Sequence, residues 1–180
     1  MPGTAPTPSA ALDQLRAGFR ALDDQGHLDD LHDAEQARRR ADAVHAVRVA
    51  ELAARSQAAS RGIAGAGTEE IGWLLGLSSR AAAHLVGSCE DLVSRPLVFD
   101  GLHQGLIDRT RALKIVHLLS EVPDPARERL EARAIAYGAE HTTAQLHRYL
   151  LRLTCDHDPD ETPVGEPLDD GGGLIRCGHV

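Results

Sequence analysis

The sequence predicts an all-α fold: a multi-helix bundle with one long N-terminal helix and a helix-turn-helix-like core. Apolar residues recur at spacings of three and four through most of the chain, as they do on one face of an α-helix. No stretch alternates with a period of two for long enough to predict a strand. Several stretches also begin with residues that cap helix N-termini. We expect one helical domain over residues 10–154, between disordered segments at 1–9 and 155–180.

The two ends of the chain differ in composition from its body. Residues 1–9 contain three prolines among small polar residues, and residues 155–180 are acidic and rich in glycine and proline. Such segments bury little apolar surface, which favours disorder. The chain has a net charge of -8, but residues 1–33 and 155–180 are the acidic parts and residues 34–154 are close to neutral. The overall charge therefore does not exclude a nucleic-acid partner for the body.

Composition also restricts the compartment and the class of partner. No run approaches the roughly 18 apolar residues of a membrane span, and the N-terminus lacks the pattern of a signal peptide. We expect a cytoplasmic protein without membrane contact. Cys89, Cys155 and Cys177 are an odd number of cysteines, so reduced thiols are expected. Aromatic residues make up 3% of the chain, too few to predict stacking platforms for single-stranded nucleic acid.

The first two helices are predicted from apolar periodicity. One begins at Ala10 and ends near Gly26, and its apolar stripe consists of Leu12, Leu15, Phe19 and Leu22. A long helix over residues 28–59 follows, with no proline or glycine inside. Its predicted apolar face comprises Leu31, Ala34, Ala37, Ala41, Val44 and Leu52. Arg38, Arg39 and Arg40 point in three directions around this helix, which favours a solvated surface over a phosphate clamp.

A glycine-rich break and a series of capped helices follow. Residues 61–67 are interpreted as a flexible linker, because no strand precedes them and Glu69 and Glu70 would repel a phosphate at the next helix. A short helix and turn are predicted over residues 96–105. Later N-caps are predicted at Asp108, at Asp124 before a proline, and at Thr142, which forms a capping box with the glutamine three residues on.

The most specific local pattern is a helix-turn-helix over residues 68–86. Ile71 and Leu75 lie in the first helix, Gly76 occupies the turn, where a left-handed conformation costs least, and Leu77 is the expected buried anchor of the turn. Gly72 is expected to face the crossing with the second helix, which Ser78 caps. Ala82 and Leu85 are expected on the inward face of that second helix.

This arrangement predicts which residues would face a major groove. They are Ser78, Ser79, Arg80, Ala83 and His84. Arg80 could bond guanine or a phosphate, and the serines with the helix N-terminus could hold phosphate oxygens. An alternative is that this corner only completes the core, since one arginine and one histidine are few contacts for a DNA-binding surface.

Three other parts of the sequence contain residues of the types that bind metals or act as nucleophiles. Cys155, His157, Cys177 and His179 form two Cys-x-His pairs, but a single intervening residue is unfavourable for one tetrahedral zinc site, so no metal site is predicted. The acidic and histidine-rich stretch at residues 23–33 is interpreted as a solvated link rather than as a metal site. Cys89 is expected to fill a core or groove. No catalytic residue and no cofactor is predicted.

The order of three segments resembles one known family. The segments are LLGLSSRAAAHLV at 74–86, LHQGLIDRTRALKIVHLL at 102–119 and VPDPARERLEARAIAYGAEHTTAQLHRYLLRL at 122–153. Together they resemble the actinobacterial 13E12-repeat family, known as domain of unknown function 222, over residues 28–153. The resemblance implies a helical domain that precedes an HNH nuclease module, and a DNA-related role. No asparagine is present and only His157 and His179 follow Thr154, so no nuclease residue is carried over to this chain.

These observations lead to three functional hypotheses. The first is a DNA-binding or DNA-targeting helical domain of an HNH-associated protein, acting on double-stranded DNA and without enzyme activity of its own. The second is a protein interaction module, in which the alanine-faced long helix pairs with a partner or forms a homodimer. A third, less favoured hypothesis is a zinc-dependent function of the C-terminal Cys-x-His pairs.

Overall fold

Eight α-helices and no strand form within residues 8–60 and 65–155, the parts of the chain that the structure, a computed structural model, describes. In chain order the helices are α1 (Pro8–Phe19), α2 (Asp24–Ala59), α3 (Ala66–Leu75), α4 (Ser79–Val93), α5 (Pro96–His103), α6 (Arg109–Leu118), α7 (Ala126–Glu140) and α8 (Thr143–Cys155). The predicted all-α class and the long N-terminal helix are confirmed. No helix in these ranges is both long and apolar enough to cross a membrane.

The segments predicted to be disordered fall mainly outside the described residues. Pro8 and Ser9 already belong to α1, and Cys155 ends α8. Residues 1–7 and 156–180 lie outside the described ranges, as do residues 61–64 of the predicted linker.

Polar side chains cap several helices where the sequence predicts it. The carboxylate of Asp108 accepts a hydrogen bond from the backbone N–H of Arg111 at 2.8 Å. Thr142 and Gln145 form the predicted capping box, with the Gln145 side chain accepting from the Thr142 N–H at 2.9 Å. The predicted N-cap at Asp124 is wrong, because α7 starts one residue later, after Pro125, and no side chain caps it. Asp124 instead forms an ion pair with Arg127.

Helix α2 is the central support of the N-terminal half, and it packs against α3, α4 and α5. Its buried residues are Ala43, Ala46, Val49 and Ala53. The predicted apolar face is wrong, since Leu31 and Val44 are exposed. Toward the N-terminus the buried face continues through partly buried Glu35 and Arg39. Because these two residues are charged, apolar periodicity does not indicate this part of the buried face.

The second half of the domain is a group of shorter helices in which α6, α7 and α8 pack on one another, and α6 and α7 also pack on α5. The core runs without interruption through both halves. Glu131 of α7 is buried, and its carboxylate pairs with Arg95, immediately before α5, at 2.6 Å. This charged contact joins two helices that are distant in sequence.

Helix α1 forms but ends at Phe19, short of the predicted end near Gly26, which belongs to α2. The predicted apolar stripe is exposed to solvent. Leu12, Leu15, Phe19 and Leu22 are all exposed, and so is Leu28 in the second turn of α2. Helix α1 has no substantial packing partner among the described helices. We call α1 together with residues 24–34 of α2 the N-terminal arm.

Candidate nucleic-acid interface

The corner between α3 and α4 has the geometry of a helix-turn-helix. Gly76 ends α3 in the left-handed conformation, with φ of 64°, as predicted. The backbone N–H of Leu77 donates to the carbonyl of Gly72 at 2.8 Å, which closes the turn. The two helices cross where Gly72 meets Ala82: a Cβ on Gly72 would lie 3.3 Å from that of Ala82. The crossing therefore needs the two smallest side chains at this point.

One detail of the predicted corner is wrong: Leu77 is not its buried anchor, and its side chain is 37% exposed. The contact between Gly72 and Ala82 leaves no space for a leucine side chain between the helices. The part of Leu77 that lies against Gly72 is its carbonyl oxygen. Buried Ile71 anchors the first helix instead.

All five residues predicted to face a major groove are exposed at the N-terminal end of α4. They are Ser78, Ser79, Arg80, Ala83 and His84. The Ser78 hydroxyl accepts a hydrogen bond from the Ala81 N–H at 3.3 Å and so serves as the N-cap. The N–H groups of Ser79 and Arg80 belong to the first turn, where a helix has no intrahelical acceptor for them.

The charge of this surface is concentrated in one side chain. Arg80 makes no ion pair and no side-chain hydrogen bond within the described residues. The carboxylates of α3 and α4 lie at the other ends of the two helices, at Glu69, Glu70, Glu90 and Asp91. An anion would therefore meet a favourable field only at the α4 N-terminus, where the helix dipole adds to the charge of the guanidinium.

A line of polar side chains leads from this N-terminus to the next helical layer. Arg80, His84 and Ser88 follow one another at intervals of four, so they lie on one side of α4. At the end of the line the Arg109 guanidinium, at the start of α6, donates to the Ser88 hydroxyl and to the sulfur of Cys89, each at 3.2 Å. Cys89 is fully buried, as predicted for a core-filling residue.

Apolar side chains that were not predicted to be exposed lie on α3, beside this surface. Trp73 and Leu74 on α3 are 90% and 71% exposed, and Leu75 is also exposed. A usable signal was present, because large apolar residues at 71, 73, 74 and 75 cannot all lie on the single buried face of a short helix. Adjacent exposed large apolar side chains of this kind are typical of interaction surfaces.

The arginine triplet of α2 is occupied by contacts within the domain. Arg38 and Arg39 both bond the carboxylate of Glu35, and Arg39 also donates to the backbone carbonyl of Gly105 at 2.8 Å. The Arg38 hydrogen bond, with the charge of Arg39, holds the pKa of Glu35 at about 2, and the same pairing raises the pKa of Arg38. Arg40 donates to the side chain of Gln36. Because the three arginines already make these contacts, they are poorly suited to binding a phosphate.

Of the two metal candidates, the acidic stretch at residues 23–33 lies within the described residues. His157, Cys177, His179 and the side chain of Cys155 lie outside the described part of the structure. Within the described ranges no group of three or more His, Cys, Asp or Glu side chains could hold a metal ion. In the acidic stretch at residues 23–33, Asp23 acts as the N-cap of α2 and accepts from the Gly26 N–H at 2.8 Å.

A pair of helices without acidic residues was also not predicted. Helices α6 and α8 together contain five arginine or lysine residues and no acidic residue: Arg109, Arg111, Lys114, Arg148 and Arg152. Arg148 and Arg152 are exposed and form no ion pair within the described residues. The signal was the absence of Asp and Glu from these two segments, in a chain that is acidic as a whole.

Comparison with known proteins identifies the family. A profile described as "Domain of unknown function (DUF222)" matches residues 28–166, more than half of the chain. The match includes α3, the turn and α4, and it starts inside α2, after α1. Neither the curated proteins nor the solved structures gave a match. The chain, with its helical corner and its basic pair of helices, therefore belongs to the DUF222 family.

Proposed function

We propose that this domain binds double-stranded DNA through the N-terminal end of α4. The observation that carries the proposal is the joint exposure of Ser79, Arg80, Ala83 and His84 beside a tight α3–α4 turn. A recognition helix enters a major groove with its N-terminal residues toward the base edges, and these four residues occupy that position on α4. Exposure was required for this role, since the same residues packed against neighbouring helices could not reach DNA.

The chemistry of the contact follows from the few groups available. The guanidinium of Arg80 can donate two hydrogen bonds to guanine or one to a phosphate oxygen. The first-turn N–H groups of Ser79 and Arg80 can hold a second phosphate. With few contacts at this helix, affinity depends on additional cations, and Arg148 and Arg152 of α8 are the exposed candidates.

The biological setting belongs to the same proposal. The resemblance to the actinobacterial 13E12-repeat proteins supports a DNA-targeting domain associated with an HNH nuclease, in a cytoplasmic protein. The domain would supply DNA contact, and the nuclease centre would lie elsewhere, since no nuclease residue is placed in this chain. Accordingly, we expect no DNA cleavage by the chain alone.

Binding of a short fluorescent DNA duplex to the full chain tests the proposal. Anisotropy is measured from about 50 to 200 mM salt for the parent chain and for Arg80→Ala. If Arg80 contacts a phosphate, its loss weakens binding to all duplexes and lowers the salt slope by about one; if it contacts guanine, binding falls by about 1–3 kcal/mol on the preferred sequence. Arg133→Ala, at an exposed position of α7, is the matched control.

Two results would contradict the proposal. One is the absence of binding at the lowest salt concentration. The other is equal affinity of the Arg80→Ala and Arg133→Ala chains. If replacement of Arg148 and Arg152 by alanine abolished DNA binding while Arg80→Ala kept the parent affinity, the DNA-binding surface would lie on α8 and not on α4.

The N-terminal arm favours a second candidate function, association of two copies of the chain. The alanines of α2 that are buried inside the domain are Ala43, Ala46 and Ala53. Ala34, Ala37 and Ala41, which belong to the face that suggested dimerisation, are exposed. The exposed apolar stripe of the arm, which includes Leu15 and Phe19, is free to pack on a second arm. A C2 dimer would use the same stripe from both copies.

Sedimentation velocity separates this candidate from the first. A dimer that Leu15→Asp converts to a monomer would support association through the arm. Leu97→Asp is the matched control, since Leu97 is also an exposed leucine but lies on α5. A parent chain that is monomeric at all concentrations would contradict this candidate.

A further inference from the structure

An open pocket lies between α6 and α8, away from the α3–α4 corner. Its volume is about 340 Å³, which is within the range of small-ligand sites. Its lining consists of Thr110, Leu113, Lys114, His117, Leu118 and His147. The first five come from α6 at spacings of three and four, and His147 comes from α8. The pocket thus combines leucine walls with groups that can donate hydrogen bonds.

The lining of the pocket includes a lysine and no carboxylate. Lys114 is the only lysine of the chain, and it forms no ion pair within the described residues. Neither α6 nor α8 contains an acidic residue, and no carboxylate lines the pocket. A cation that is partly withdrawn from water without a partner is unfavourable, and an anion in the pocket would relieve that cost.

His147 provides a second, independent observation. Its Nδ1 atom is buried and has no hydrogen-bond partner within the described structure. An imidazole nitrogen without a partner in the protein can bond a ligand, and Nδ1 donates to an oxyanion when it carries the ring proton. The ring then adds to the donor groups of the pocket.

We propose that the pocket between α6 and α8 binds an oxyanion that carries an apolar group. The oxyanion, a phosphate or carboxylate, would accept hydrogen bonds from Lys114, Thr110 and the imidazoles of His117 and His147. The apolar part would lie against Leu113 and Leu118. A bare phosphate would leave most of the volume unfilled, so the apolar part should contribute to affinity. This site does not depend on the DNA contact proposed for α4.

Titration of the full chain with phenyl phosphate, followed by NMR of the histidine ring protons, tests the proposal. We expect saturable shifts of the His117 and His147 signals, with inorganic phosphate binding more weakly and benzyl alcohol not binding. Lys114→Met keeps the aliphatic stem and should weaken phenyl phosphate binding about ten-fold, because a hydrogen bond to a charged group is lost. Arg129→Met, exposed on α7 and outside the pocket, should leave the affinity unchanged.

His117→Gln provides a second variant at an exposed position, so a folding defect of one variant does not decide the result. Each folded variant shows the parent melting curve by circular dichroism. The proposal is overturned if phenyl phosphate gives no saturable shifts, or if both pocket variants bind it as tightly as Arg129→Met does.

Measurement of duplex DNA binding by the same variants distinguishes the source of the oxyanion. If the pocket takes a phosphate of the DNA backbone, Lys114→Met lowers duplex affinity and phenyl phosphate competes with DNA. If it takes a free organic anion, duplex binding is unchanged while phenyl phosphate binding is lost. Either result supports the pocket. Failure of duplex binding by the parent chain, with phenyl phosphate still bound, contradicts only the DNA proposal for α4.

Discussion

Replacing Gly67 with alanine should weaken the packing of α3 on α2, on which the position of the α3–α4 corner depends. Gly67 is buried near the start of α3, and a Cβ at this position would lie 2.6 Å from the carbonyl oxygen of Ala53 and 2.7 Å from its Cα. Ordinary contacts begin near 3.4 Å, so the two helices would have to separate by about 0.8 Å. The obstructing atoms are backbone atoms and cannot move aside by changing rotamer.

The net effect combines two terms of opposite sign. Alanine favours a helix over glycine by up to about 1 kcal/mol. Overpacking against a rigid neighbour costs about 1–3 kcal/mol, and a contact this short belongs at the upper end of that range. We expect Gly67→Ala to lower the free energy of unfolding by about 1–2 kcal/mol. Gly87→Ala on α4 is the matched control, because a Cβ there meets nothing within 4 Å. That variant should gain about 0.5–1 kcal/mol.

Urea unfolding followed by circular dichroism measures both variants. The free energies of unfolding of the two variants should differ by about 1.5–3 kcal/mol, with similar m-values. Because the clash displaces α3, Gly67→Ala should also weaken any DNA binding that depends on the α4 N-terminus. A Gly67→Ala chain as stable as the Gly87→Ala chain would refute the reasoning, since α3 would then not approach α2 as closely as the structure has it.

Three further predictions concern the charged and apolar surfaces. Glu131→Ala leaves the largely buried Arg95 without its partner, and thermal unfolding should show that the free energy of unfolding falls by about 3 kcal/mol. A decrease below about 1 kcal/mol would mean that water solvates the pair. Glu35, whose pKa is about 2 instead of 4.5, stabilises the fold above pH 4.5 and loses that contribution as the pH falls toward 2. Urea unfolding at several pH values should therefore find the parent chain more stable than Glu35→Gln at neutral pH, with the difference small because the pair is part-exposed and vanishing near pH 2. Trp73→Ala removes a side chain that is 90% exposed, so stability should change by less than about 0.5 kcal/mol, and a larger loss would show that the ring packs on the domain.

The helices were predictable wherever a local interaction decides them. Asp108 and Thr142 mark their helix starts because a capping side chain bonds a backbone N–H only three residues away. Gly76 was predictable for the same reason, since a left-handed residue at a helix end favours glycine whatever lies around it. Asp124 was mispredicted because α7 begins one residue later, after Pro125, and the Asp124 carboxylate pairs with Arg127. Local patterns give the possible bonds of a side chain, and its neighbours in space select among them.

The faces of the helices were less predictable than their existence. In α2 the sequence offers alanines on several sides, and the domain buries the side that includes Ala46 and Ala53 because α3, α4 and α5 meet it there. Arg39 lies on the same side and donates to the carbonyl of Gly105. This hydrogen bond could not be predicted from the sequence, because the two residues are far apart in the chain. The exposure of Trp73 could not be read from its hydrophobicity, since burial depends on which helix covers a position.

By itself the sequence determined the all-α class, the helix-turn-helix corner and the outward position of Arg80, because propensity, capping and turn geometry act over a few residues. The tertiary structure alone decided which side of α2 is buried and that α6 and α8 bring Lys114 and His147 together around one pocket. It also left the apolar stripe of α1 uncovered. These features depend on contacts between residues far apart in the chain, and such contacts are fixed only when the helices pack.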